Sequence, residues 1–128
     1  MIRYRRLSYG YALLVSSAQP RSAVRLAPTT WCPSADVYET RDEIHVTVEL
    51  AGVALEEIDL LVYDDALIVE GRRRLPSTSE RGQFHMAGIR QGPFRLELAL
   101  PGRVDLEEVT GRTDAGLLQI TLGKARAS

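Results

Sequence analysis

Cys32 is the only thiol in the chain, and His45 and His85 are the only imidazoles. A cysteine and a histidine become a nucleophile and its base only within hydrogen-bond reach of each other. The spacing argues against that arrangement. His45 alternates with Ile44 and Val46, so it faces outward beside Thr47, and His85 falls in a polar stretch. No set of Cys, His, Asp or Glu has the spacing of a metal site. The adjacent carboxylates Asp64-Asp65 and Glu107-Glu108 are explained by a turn and by the start of a helical turn. Arg72-Arg73-Arg74 could hold phosphate or an acidic partner, but such a run also reads as a solvated strand end. Gly82, Gly88 and Gly92 punctuate a loop and do not form a phosphate cradle. These residues predict no catalytic site, no metal and no cofactor.

The elements that would position any site come next. The 128 residues are 45% apolar and 26% charged, the balance of one soluble domain with a tail. Residues 1–31 contain Arg3, Arg5, Arg6, Arg21 and Arg25 and no acid, a charge of +5; the remainder carries −6. A basic arm beside an acidic body can fold back on it or onto a neighbouring subunit. Nucleic acid is not the expected partner, because basic and aromatic residues do not interleave in the body. No apolar run approaches the ~18 residues of a membrane span. A single cysteine excludes an internal disulfide framework and fits a reducing, cytoplasmic compartment. The acid-free, Arg- and Ser-containing N-terminus also has the composition of a transit peptide.

Tyr4, Leu7, Tyr11 and Leu14 recur at three- and four-residue intervals, the spacing of a short amphipathic helix that Gly10 weakens and Pro20 limits. From residue 31 onward the period is two. Ile44, Val46, Val48 and Leu50 alternate with polar residues, as do Phe94, Leu96, Leu98 and Leu100. Further strands are expected at 58–63, 67–69, 109–113 and 117–122, with a helical turn at Asp105–Glu108 and a short strand at 83–86 inside a long 72–91 loop. The expected fold is all-β: an antiparallel β-sandwich of immunoglobulin-like architecture with a flexible N-terminal arm. The expected divisions are an arm at 1–30, the sandwich at 31–124 and a short tail at 125–128. Leu60, Leu61, Val62, Leu117, Leu118 and Ile120 put apolar groups on both faces of their strands. One face must be core; the other could line a groove at the sandwich edge, open to clients or to other subunits, or lie under the arm.

Five segments in order resemble the α-crystallin domain of small heat-shock proteins. They are Trp31-x-Pro33 with Asp36-Val37-Tyr38-Glu39-Thr40, Glu49-Leu50-Ala51-Gly52-Val53, Leu67-Ile68-Val69-Glu70-Gly71-Arg72-Arg73, Gly92–Pro101, and Asp114–Lys124. The resemblance covers about residues 31–124. Two departures stand out. The family's strand arginine falls at Leu96, and the family's C-terminal Ile-x-Ile/Val motif has no counterpart after Lys124.

The resemblance implies an ATP-independent holdase that binds apolar segments of unfolding client proteins. It also implies self-association by strand exchange. Gln83, Phe84, His85 and Met86 of one subunit would pair with Ser34, Ala35, Asp36 and Val37 of another. Tyr4, Leu7, Tyr11 and Leu14 would then drive further assembly and client binding. The alternative on the same fold is an adaptor or co-chaperone-type module that recruits a partner without holding clients.

Overall fold

Ile44, Val46 and Val48 are fully buried along β3 (Glu43–Glu49), while His45 and Thr47 between them lie half-buried on the other side. That two-residue period recurs through the computed structural model, which describes residues 3–6, 30–76 and 80–126. Two four-stranded sheets result. The first runs β2 (Ala35–Glu39), β3, β8 (Leu117–Lys124), β7 (Val104–Asp114), all antiparallel. The second runs β1 (Arg3–Arg6), β4 (Ile58–Val62), β5 (Ala66–Arg73), β6 (Gly92–Ala99), antiparallel except that β1 joins β4 in parallel. The inner faces meet in one core: Ile44, Val46, Val48, Leu118, Ile120 and Leu122 from the first sheet, and Ile58, Leu60, Val62, Leu67, Val69, Phe94 and Leu96 from the second. This is the expected β-sandwich.

One glycine is required by close approach. A Cβ on Gly71 would stand 1.9 Å from the Glu57 carbonyl oxygen and 2.8 Å from Cζ of Phe94. Glu57 ends a short 3-10 turn, Leu55–Glu57, which leads directly into β4. Only a residue without a side chain lets that turn and the Phe94 ring press on β5 together. Beside Ala51, β7 and β8 are joined by Ala115 and Gly116 alone, both at positive φ (52° and 84°). Such mirror-image turns match the natural twist of a hairpin.

Three local expectations are corrected. Asp105–Glu108 is not a helical turn. It lies within β7, where the register with β8 shifts between Val104 and Val109. The Asp105 carboxylate accepts the Glu107 N–H at 2.8 Å, satisfying the backbone locally, while both valines are buried in the core. The bulge lets β7 bring both valines inward, which a helical turn would not. Residues 83–86 form no strand within the single chain. Tyr4 belongs to β1 rather than to a helix, because the outer edge of β4 offers unpaired backbone groups that Arg3–Arg6 can satisfy. Leu7, Tyr11 and Leu14 lie outside the described residues.

Leu96 shows that the strand register is as the alternation required. It pairs with Val69, is 7% exposed and belongs to the core. A charge there would be unpaired among apolar side chains, so Leu96→Arg should destabilise the fold by roughly 3 kcal/mol. Thermal unfolding checks this: the variant should melt clearly below the parent.

Candidate functional site

Strand β2 is the place where the sandwich is left incomplete. Among the described residues it pairs with β3 on one side only. Asp36, Val37, Tyr38 and Glu39 are all exposed. Val37 is level with core residue Val46, and Tyr38 with outward-facing His45, so the edge presents one apolar side chain on each face. An unpaired strand edge is a template for another extended segment. The strand is held rigidly from behind. Glu49 donates its N–H to the Ser34 carbonyl at 2.9 Å, Thr40 and Glu43 close the β2–β3 turn, and Lys124 meets Glu39 at 2.6 Å.

The second unusual surface is the loop between β5 and β6. Residues 80–90 are all exposed, and they include Phe84 at 78% and Met86 at 85%, with Ile89 also exposed. Apolar side chains this open are costly unless something covers them. The loop is nonetheless tied at its root. The Arg73 guanidinium donates from Nε and Nη2 to the Arg90 carbonyl (2.9 and 2.6 Å) and from Nη1 to the Ala51 carbonyl (3.2 Å). It also lies over the Trp31 ring, 4.4 Å from the centroid. Trp31 in turn donates Nε1–H to the Gly92 carbonyl at 3.1 Å and packs against Phe94, with ring centroids 5.3 Å apart. One cation therefore joins the start of the loop, its end, the 51–52 turn and the lead-in to β2.

Ser34, Ala35, Asp36 and Val37 thus lie at the open edge. Gln83, Phe84, His85 and Met86 lie in the exposed loop, and no ladder joins the two sets within one chain. The six candidate groove residues are split by strand alternation. Leu60, Val62, Leu118 and Ile120 are core. Leu61 is buried on the outward side of its sheet, and Leu117 is exposed on the outward side of the other. They line no common groove. Arg73 was hidden in a run of three arginines. Strand parity was the available signal, because Arg72 and Arg74 are exposed and Arg73 is half-buried.

The potentially reactive groups remain apart. Exposed Cys32 contacts the Pro33 carbonyl, whereas His45 faces Glu43 (3.1 Å) and the Thr121 hydroxyl (3.3 Å). Among the described residues no three His, Cys, Asp or Glu side chains gather as a metal site, and no helix is long and apolar enough to cross a membrane.

A family model described as Hsp20/alpha crystallin family matches residues 36–128. The chain belongs to this family. The small heat shock protein C4 of Rickettsia felis is 32% identical over 96 residues, which are 75% of this chain and 59% of that protein. The chain thus spans about three fifths of that relative's length. Among solved structures, hspA from Xanthomonas axonopodis superposes with a TM-score of 0.68 at 26% identity, over 78% of this chain and 100% of that one. A small heat-shock protein from Xylella fastidiosa, described as revealing a distinct high order structure, gives 0.67 at 26% identity, over 78% and 92%. Membership of this family supports a chaperone role.

The Arg73 contacts generate a test. Arg73→Ala removes three donated bonds and a cation–π contact at a partly exposed site, so a loss of about 1–2 kcal/mol is expected. Arg73→Lys keeps the charge without the planar fork and should recover only part of it. Amide exchange should quicken at residues 88–92 in both variants.

Proposed function

We propose that the chain is an ATP-independent holdase that binds exposed apolar segments of unfolding proteins and prevents their aggregation. The observation that carries this reading is the pairing of an open strand edge with bare apolar side chains on an anchored loop. Val37 and Tyr38 at the edge, and Phe84, Met86 and Ile89 in the loop, are exposed large hydrophobic groups on a domain whose remaining apolar residues are mostly buried. Each contributes roughly 1.5–3 kcal/mol when covered by an apolar partner. The β2 edge adds main-chain hydrogen bonds to any extended segment laid along it. Neither interaction needs a nucleotide.

The same two surfaces fit one another across two copies. In this reading residues 83–86 of one subunit lie along Ser34–Val37 of the next. The exchange covers Phe84 and Met86 and both edges of the pair, so these surfaces serve clients when subunits part and each other when they meet. The divisions are the sandwich at 31–124, which β1 joins at its second sheet, the arm at 1–30, whose Leu7, Tyr11 and Leu14 reach into larger assemblies, and the short 125–128 tail. The partners are the client proteins and further copies of the chain, in the cytoplasm.

Light scattering from a heat-denatured client tests the activity. Near stoichiometric amounts of the protein should suppress scattering without ATP. Unchanged scattering would favour the adaptor reading, and an absolute need for ATP would sink the holdase. The exchange has its own test. Deleting residues 80–89 should convert the dimer to monomer in sedimentation while leaving the thermal transition of the sandwich in place, since that segment contributes nothing to the core.

A further inference from the structure

We infer that, when one subunit lends its loop to the β2 edge of another, His85 sits opposite Asp36 of the partner subunit, with Phe84 and Met86 seated on Ala35 and Val37 to either side. This rests on the exchange proposed above and adds its register and its charge pair. Gln83-Phe84-His85-Met86 and Ser34-Ala35-Asp36-Val37 share one pattern: polar, apolar, ionisable, apolar. Asp36 is the only acid in its set, and His85 the only basic group in its own. All four loop residues are exposed, as are Asp36 and Val37.

Strand alternation fixes which faces meet. On β2, Ala35 packs against the sandwich core and Val37 stands level with fully buried Val46, so both point to the core side. Asp36 is level with Thr47 and Tyr38 with His45, so both point outward. A strand added to β2 continues the same two faces. Phe84 and Met86 share one face of their segment. The core side offers them Ala35, Val37 and the rim of the core, whereas the outward side offers Asp36 and Thr47, with Tyr38 beyond. Gln83 and His85 therefore turn outward. A slip of one residue would set both apolar side chains beside Asp36 and press the imidazole onto Val37. The match does not depend on strand direction. In a parallel pairing Phe84 meets Ala35 and Met86 meets Val37; in an antiparallel pairing they exchange places. His85 stays on Asp36 in both.

The surrounding charges favour a protonated imidazole at that place. Directly opposite residues on neighbouring strands hold their Cβ atoms about 5 Å apart, within reach of an ion pair. The other titratable or charged groups on this outward face are Tyr38 of β2, Glu43, His45 and Glu49 of β3, and Glu108, Arg112 and Asp114 of β7; β8 adds none. Of the two basic groups, His45 already meets Glu43 at 3.1 Å. Arg112 bonds Gln119 at 3.0 Å and stands three strands from Asp36, about 14 Å at strand spacing, beyond the ~10 Å screening length of moderate salt. In the loop itself Arg81 and Arg90 flank His85, and Glu80 offsets one of them. An imidazolium set against Asp36 thus strengthens the exchange. The added strength is present below the pH range in which imidazoles titrate and is lost as pH rises through it. Reciprocal exchange makes the contact twice.

Mixing two full-length variants decides it. His85→Asp sets carboxylate against carboxylate, and Asp36→His sets imidazole against imidazole. In sedimentation at pH 6 each variant alone should dimerise roughly tenfold more weakly than the parent, because two like-charge contacts replace two opposite-charge ones. In the mixed pair the two substituted side chains meet at one contact, and the native His85 and Asp36 meet at the other. The mixture should therefore dimerise with the parent's strength. A mixture no stronger than its components overturns the proposal, as do variants that dimerise as well as the parent. A second readout uses pH. The parent dimer should tighten about fivefold between pH 8 and pH 6 relative to His85→Gln, as expected for two exposed charge pairs; equal shifts in both proteins overturn the proposal. The 80–89 deletion keeps the two readings apart. A dimer that survives the deletion overturns the exchange itself, whereas a loop-dependent dimer in which mixing restores nothing overturns only the placing of His85 on Asp36.

Discussion

The Phe94 ring can occupy its place only because residue 71 has no side chain. Much of the molecule is organised around that absence. With Gly71 bare, the 3-10 turn at Leu55–Glu57 closes over β5, and β4 begins in register with it. Phe94 then fills the core at the end of the second sheet and presents its ring to Trp31. Trp31 fixes the lead-in to β2 and offers its face to Arg73, which gathers the loop root. A packing constraint at one backbone position thus sets where the chain enters the open edge and where the apolar loop leaves the body.

Much of this was legible in the sequence, for a simple reason. Side chains on a strand alternate, so Ile44, Val46, Val48 and Phe94, Leu96 declare their face without tertiary information. Leu96 was placed in the core by parity alone. The same rule, carried through, separates Leu60 from Leu61 and Leu117 from Leu118, so apolar groups adjacent in sequence do not line one groove. Asp105 and Glu108 misled because an acid followed three residues later by another resembles the start of a helix. The signal for a bulge was instead the pair of buried valines, Val104 and Val109, whose distance along β7 does not match that of their partners on β8. Arg73 was illegible as a clamp because its partners are backbone carbonyls at residues 51 and 90, contacts with no sequence signature.

The surfaces left open contrast in chemistry with the rest of the exterior. The outward face of the β3–β8–β7 sheet is lined by His45, Thr47, Gln119, Thr121 and Arg112, polar groups among which Arg112 bonds Gln119 and Thr121 meets His45, with Leu117 alone apolar at its end. Apolar exposure is concentrated at β2 and in the 80–90 loop instead. A protein exposing apolar groups at random over its surface would attract its own copies everywhere. Confinement to one edge and one loop limits association to a few geometries, and the rigid root of the loop restricts those further.

The strand order of the first sheet has a consequence for how the protein is made. β3 must pair with β8, so Glu43 finds its neighbour only at Gly123. The β2–β3, β4–β5 and β7–β8 hairpins close over short stretches, and such closures are fast. The seam between β3 and β8 spans nearly the whole sandwich. During synthesis, β3 can pair with β2 but waits with its other edge open until residues 117–124 have been added, and its Ile44, Val46 and Val48 face waits for the second sheet. For that interval the nascent chain presents the kind of surface, an open edge beside bare aliphatic groups, that invites misassociation.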